Sequence, residues 1–164
     1  MTVAEVFGSA NLSPHGPVRW GTPIRETSRG VYVVARVSEA DGCCDACEPP
    51  FKDSRSLGVE VELESENRRW LRSEPVVYIG KADQTIQKRV GQFYQQECGK
   101  RSPHAGGQAI LLLDCDLWVY WSPSSSPLDS ERTMLRAFEK ETGQAPFGNF
   151  SGKRGRKRIR PISQ

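Results

Sequence analysis

No apolar run in this chain approaches the ~18 residues that a membrane-spanning helix needs. The opening residues, Met1-Thr2-Val3-Ala4-Glu5, are not a basic stretch followed by an apolar block. Neither a membrane span nor a secretory leader is therefore expected, and the chain reads as soluble and intracellular, hence cytoplasmic. Apolar residues are themselves scarce: 37% of 164 residues, with a mean hydropathy of −0.57. That fits a single domain with one compact core and polar appendages. A second spaced cysteine pair is also missing. Of the five cysteines only Cys44 and Cys47 form a C-x-x-C, and a closed zinc site wants four ligands. A structural zinc would have to recruit Cys43, Cys98 or a histidine as well. In a reducing compartment the plainer expectation is free thiols, with Cys115 in the core.

Acid is absent from the C-terminal end. Residues 151–164 hold Lys153, Arg154, Arg156, Lys157, Arg158 and Arg160 and no Asp or Glu. The formal net charge of +3 therefore hides a division, because the rest of the chain sets 17 bases against 20 acids. Residues 38–75 alone carry 10 acids and 5 bases. Six cations within residues 153–160 can neutralise several phosphates and give salt-dependent, sequence-blind attachment to nucleic acid. The arm is of low complexity and is expected to be flexible. No separate sequence-reading domain is visible, so any specificity must come from the lead-in, the 38–75 segment, the tail or a partner.

What is present begins with two β-rich stretches, Gly30-Val31-Tyr32-Val33-Val34-Ala35 and Val76-Val77-Tyr78-Ile79-Gly80-Lys81. Each holds a tyrosine close to a glycine, and the two are expected to pair as neighbouring strands with the phenols converging. Residues 1–29 read as a lead-in punctuated by Pro14, Gly16, Pro17, Gly21 and Pro23. Within it, Pro17–Trp20 is a candidate edge strand, with Trp20 packing on the domain. The first strand is expected over 30–37. Residues 38–75 read as an acidic, Cys-containing insertion, in which Val59–Glu64 alternates at the period of a half-buried strand.

After Gly80, Asp83 or Thr85 can cap a helix running to about Gln96. Its apolar stripe is Ile86, Val90 and Phe93, and Arg89 lies on that stripe. Gly99 to Gly107 is a loop containing His104. Gln108–Leu113 is too short for periodicity to decide between helix and strand. Leu117–Trp121 is a strand. A helix is expected from about Leu128 to Thr142, with Gly143 past its end. Its buried face is Met134, Leu135 and Phe138, with Glu131 on it. An arginine and a carboxylate on core-facing stripes are expensive unless paired or aimed into a cleft.

Taken together, Gly30-Val31-Tyr32, Tyr78-Ile79-Gly80, Arg89, His104, Glu131 and Asn149, in that order, resemble the motif series of the GIY-YIG nuclease superfamily. The resemblance covers about residues 28–150. Valine stands in the middle of the first motif, and the gap between the motifs is far longer than is usual in that group. The resemblance implies a small α+β domain: about three antiparallel strands flanked by helices, with an insertion between the two motif strands. It further implies a metal-dependent endonuclease acting on double-stranded DNA, of restriction or phage-defence type. The alternative is a catalytically silent module that binds nucleic acid or protein.

The chemistry asks for these residue types. Phosphodiester hydrolysis needs a cation to neutralise charge on the phosphate and leaving oxygen. Glu131 supplies one hard oxygen for Mg²⁺ or Mn²⁺, which keeps several waters of its own. A tyrosine with pKa near ~10 is a poor base alone, and nearby cations make its phenolate more accessible. The resemblance implies Tyr32 as general base and Tyr78 as its hydrogen-bond partner or a phosphate contact, and the reverse assignment stays open. Arg89 would clamp the scissile phosphate. His104 would polarise a tyrosine or touch the phosphate, and Asn149 would orient the glutamate or nearby backbone. Gly80, Lys81 and the tail cations are the expected substrate contacts. A double-strand cut by a one-site domain calls for a homodimer or a partner protein.

Overall fold

A computed structural model describes residues 1–53, 55–61, 66, 69–98, 107–149 and 159–161. Its frame is an antiparallel sheet of four strands in the order β1-β5-β2-β4. These are β1 (His15–Arg19), β2 (Gly30–Ala35), β4 (Val76–Ala82) and β5 (Trp118–Pro123). The described helices are α1 (Val3–Ser9), α2 (Ile86–Tyr94) and α3 (Pro127–Thr142), with a 3-10 turn at Gln108–Leu112. The architecture is thus a small α+β domain. Four strands form the sheet rather than three, because the edge strand expected in the lead-in joins it beside β5, two residues earlier than the sequence suggested.

Strand β2 is the centre of the sheet, paired with β4 on one side and β5 on the other. Both faces are also covered, so every residue from Gly30 to Ala35 is buried. A strand enclosed this way has no use for polar alternation, which explains the near-continuous apolar run. It ends at Ala35 and not at residue 37. Strands β2 and β4 lie side by side as expected. Tyr32 sits opposite Gly80 and Val34 opposite Tyr78, which puts both phenols on one face of the sheet.

That face carries Tyr32, Val34, Tyr78 and Val119 and packs on Ile86, Val90 and Phe93 of α2. Phe93 is fully buried, and truncating a phenylalanine in such a place costs about 3–5 kcal/mol. The opposite face carries Val31, Val33, Ile79 and Tyr120 and packs on Met134 and Phe138 of α3 and on Val3, Val6 and Phe7 of α1. Helix α1 was not expected from the sequence. Its signal is a short one: the Thr2 hydroxyl accepts from the Glu5 amide while the Glu5 carboxylate accepts from the Thr2 amide. This reciprocal cap satisfies two of the orphan donors at the helix start.

Helix α2 is capped by Thr85, whose hydroxyl accepts from the Lys88 amide at 3.1 Å. The Ile86 and Gln87 amides bond to Ser28 and Glu26 carbonyls, both at 2.9 Å, so the lead-in loop closes this helix end. Helix α3 begins on Pro127 and stops at Gly143, whose φ of +82° is the left-handed conformation that glycine adopts cheaply. Trp20 packs edge-on against Phe93 and Tyr94.

The 38–75 segment leaves the sheet after β2 and returns to it as β4. Its strand β3 (Val59–Val61) does not join the main sheet. It pairs antiparallel with β6 (Ile159–Pro161), which places these three residues of the basic tail against the acidic insertion. The insertion is tied to the body by backbone bonds from Lys52 to Leu112 and from Asp114 to Pro50.

Candidate active site

The phenol pair lies at β4, the edge strand of the sheet. Gly80 makes the arrangement sterically feasible. A Cβ at this position would stand 2.8 Å from the Tyr32 hydroxyl oxygen and 2.7 Å from Tyr78 Cε1. The ring centroids of Tyr32 and Tyr78 are 5.9 Å apart, and both rings lie against Phe93. The interaction between the two hydroxyls pulls Tyr78 down and pushes Tyr32 up.

A cleft of about 440 Å³ opens at this edge. It is lined by Tyr78 and Lys81 from β4, Asp83 from the following turn, Lys88 and Arg89 from α2, and Glu131 from α3. The two helices lie on opposite faces of the sheet, and β4 is the strand both can reach around. Arg89 and Glu131, the two ionic residues on apolar stripes, therefore project to the same place. Each is half-buried. Among the described residues Arg89 has one long hydrogen bond, to Gln92 at 3.5 Å. Among the described residues neither Arg89 nor Glu131 has an ion-pair partner within 4.0 Å.

The electrostatics follow from burial. Desolvation pushes the Glu131 carboxyl above its usual range, and neighbouring Asp83 adds to the push. The Lys81 ammonium, the Lys81 backbone amide and Arg89 pull the other way. Burial likewise raises Tyr78 to about 12, opposed by the Tyr32 hydrogen bond and Arg89. Tyr32 is also pushed well above the ordinary tyrosine range, again by burial first. The two phenols are not equivalent. Tyr78 is 7% exposed and lines the cleft, whereas Tyr32 is 0% exposed and stands behind it. Of the two assignments that the sequence leaves open, the placement of Tyr78 on the cleft wall favours Tyr78 as the phenol nearer a substrate.

Other expected site residues are placed as follows. Lys81 lies in the cleft but is ion-paired with Asp83, not held free for a phosphate. Asn149 does not touch Glu131. Its carboxamide lies along the backbone of β4, accepting from the Ile79 amide at 2.9 Å and donating to the Ile79 carbonyl at 2.7 Å. Together with the Gly148 amide on the Val77 carbonyl, it covers the outer rim of β4 as a further strand would. His104 lies outside the described residues, as do Lys153, Arg154, Arg156, Lys157 and Arg158.

The Cys44 and Cys47 sulfurs both accept from one guanidinium, that of Arg36, at 2.7 and 2.8 Å. An arginine thus stands where a zinc ion bridging this pair would sit. Among the described residues, no three metal-ligating side chains converge anywhere. The cleft fits a different kind of ion. A single unpaired carboxylate beside open space suits Mg²⁺ or Mn²⁺, which binds through few carboxylates and retains water.

Asp83 and Lys88 are cleft residues that sequence reasoning did not single out. Asp83 was a candidate helix cap. Because Thr85 takes that role, Asp83 is left facing Lys81, and the Lys-x-Asp spacing was the available signal. No protein-family model, curated protein or solved structure matches this chain.

Proposed function

We propose that this protein is a metal-dependent endonuclease of the GIY-YIG type that hydrolyses phosphodiester bonds in DNA. One observation carries the reading: Tyr78, Arg89 and Glu131, drawn from three separate elements, line one cleft at the rim of the sheet. Phosphodiester hydrolysis asks for a phenol, a guanidinium and a carboxylate of this kind, the latter two without an ion-pair partner among the described residues. Lys88 beside the cleft and the six cations of the tail support a polyanionic substrate.

Glu131 is the residue that would hold Mg²⁺ or Mn²⁺. Such an ion, when bound, neutralises charge on the phosphate and acidifies water. Arg89 binds a non-bridging phosphate oxygen and stabilises the charge that grows there in the transition state. The Tyr78 phenolate, at the cleft wall, takes the proton of the attacking water and becomes the neutral phenol as the bond from phosphorus to the leaving oxygen breaks. Tyr32 acts from behind, donating its hydrogen bond to the Tyr78 oxygen and so favouring the phenolate. Asn149 fixes the strand on which Tyr78 and Gly80 ride.

A second reading, a module that binds nucleic acid without cutting, is favoured by one observation. Burial raises both phenols, so neither ionises appreciably at neutral pH. One assay separates the two. Supercoiled plasmid is incubated with the protein and Mg²⁺ or Mn²⁺, beside Glu131→Ala and Tyr78→Phe. The nuclease reading expects nicking or linearisation that EDTA abolishes and that Tyr78→Phe lowers about 10²–10⁴-fold. With a phenol near 12 as base, the rate climbs about tenfold per pH unit from 7 to 9. No cutting by the parent protein, with DNA retained in a gel shift, points to the binding module. Cutting shared equally by all three proteins is contamination.

A further inference from the structure

The acidic insertion reaches the site through a chain of direct contacts. Glu66 is 0% exposed, and its carboxylate pairs with Arg69 at 3.2 Å. The Arg69 guanidinium extends from there to the C-terminal turn, donating from Nη2 to the Phe147 carbonyl at 2.5 Å and the Asn149 carbonyl at 3.1 Å. It also lies over the Phe147 ring, 5.7 Å from its centroid. The Arg69 carbonyl in turn accepts from the Gln144 carboxamide at 3.0 Å. The turn held in this way is the one whose Asn149 side chain brackets Ile79, between Tyr78 and Gly80. Gly148 sits in the same turn, and a Cβ there would stand 3.0 Å from the Tyr78 ring.

We infer that Arg69 is a positioning residue for the Tyr78 phenol. It fixes the Phe147–Asn149 turn so that this turn sets the rim of β4. The insertion is then a working part of the centre, not a decoration between two motif strands. The physical reason lies in the geometry of guanidinium. One planar, permanently charged group with five donors in a fixed fork can bridge a buried carboxylate and two carbonyls of another segment, with less freedom than the three donors of a lysine ammonium. Burial of Glu66 makes that bridge stiff, because a carboxylate at zero exposure has no water to take the place of its partner. The catalytic consequence rests on the nuclease reading above. The structural claim does not.

The test is amide hydrogen exchange by NMR on the full chain with Arg69→Gln and Arg69→Lys. The Ile79 amide, bonded to Asn149, is compared with amides of β2 in the sheet centre. Losing one charge-assisted hydrogen bond is worth about tenfold in local opening. In Arg69→Gln the Ile79 amide is therefore expected to exchange about tenfold faster, with β2 amides unchanged. Arg69→Lys should fall between that variant and the parent. The Tyr78 ring signal should shift in Arg69→Gln, and cleavage should lose kcat with KM retained. Unaltered Ile79 exchange in Arg69→Gln overturns the inference, as does equal acceleration of Ile79 and β2. Should Arg69→Gln not fold, Arg69→Lys carries the same comparison. Parent protein that never cuts DNA defeats the nuclease reading alone, and the exchange data still decide the role of Arg69.

Discussion

Glu131 illustrates how a single side chain can be held at a cost to the fold. Its carboxyl is raised above the ordinary 4.5, chiefly by burial. The folded chain therefore holds that proton more tightly than the unfolded chain does. The associated stability is complete below 4.5 and is lost as pH rises through the raised value. At neutral pH, in the absence of metal, the ionised carboxylate is a net burden. Glu131→Gln keeps the shape and removes the charge. In EDTA at pH 7 it is expected to raise Tm by about 1–3 °C, with the difference shrinking as pH approaches 4.5. Differential scanning calorimetry at several pH values checks this, and a lowered Tm at pH 7 contradicts it. The tyrosines carry the same sign at the other end of the scale. Both are raised by burial, so stability falls once pH exceeds about 10.

Among the elements, β4 is the one on which the others converge. One face of it meets α2, the other meets α3, and its rim is covered by the Gly148–Asn149 turn. Gly80 is the position on β4 where both phenols crowd the backbone. Each close neighbour of an added Cβ is a ring atom, or the hydroxyl fixed to one, in a ring wedged against Phe93. Gly80→Ala is therefore expected to destabilise by about 1–3 kcal/mol in urea melts and to push the phenols apart. A neutral Gly80→Ala would mean the rings have room that the packing denies them. Much of β4 and its partners is legible in the sequence. The apolar stripes of α2 and α3, broken by Arg89 and Glu131, point inward as the periodicity implies. Helix α1 was missed because seven residues carry too little periodicity, and only the Thr2/Glu5 box announces it. The 3-10 turn at 108–112 was undecidable for the same reason: a short apolar run fits more than one backbone.

At the scale of the whole molecule, what the sequence could not supply is which distant segments meet. Order along the chain suggested that Tyr78, Arg89 and Glu131 belong together, but not that Tyr32 stands behind Tyr78. Nor did it suggest that Lys81 is already occupied by Asp83. Pairing of β3 with the tail at β6, and the clasp of Arg69 on the C-terminal turn, join residues about eighty to a hundred positions apart. No local pattern encodes such contacts. The most direct check is a Mn²⁺ titration followed by paramagnetic broadening of amide signals. The amides of Gly80, Lys81 and Arg89 are expected to broaden first. Those of Val18 and Arg19 on β1, three inter-strand steps or about 14 Å across the sheet, should persist longer, and Glu131→Gln should abolish the effect. Broadening centred on Cys44 and Cys47, or broadening at the β4 rim that survives Glu131→Gln, would contradict a metal-dependent centre at this cleft.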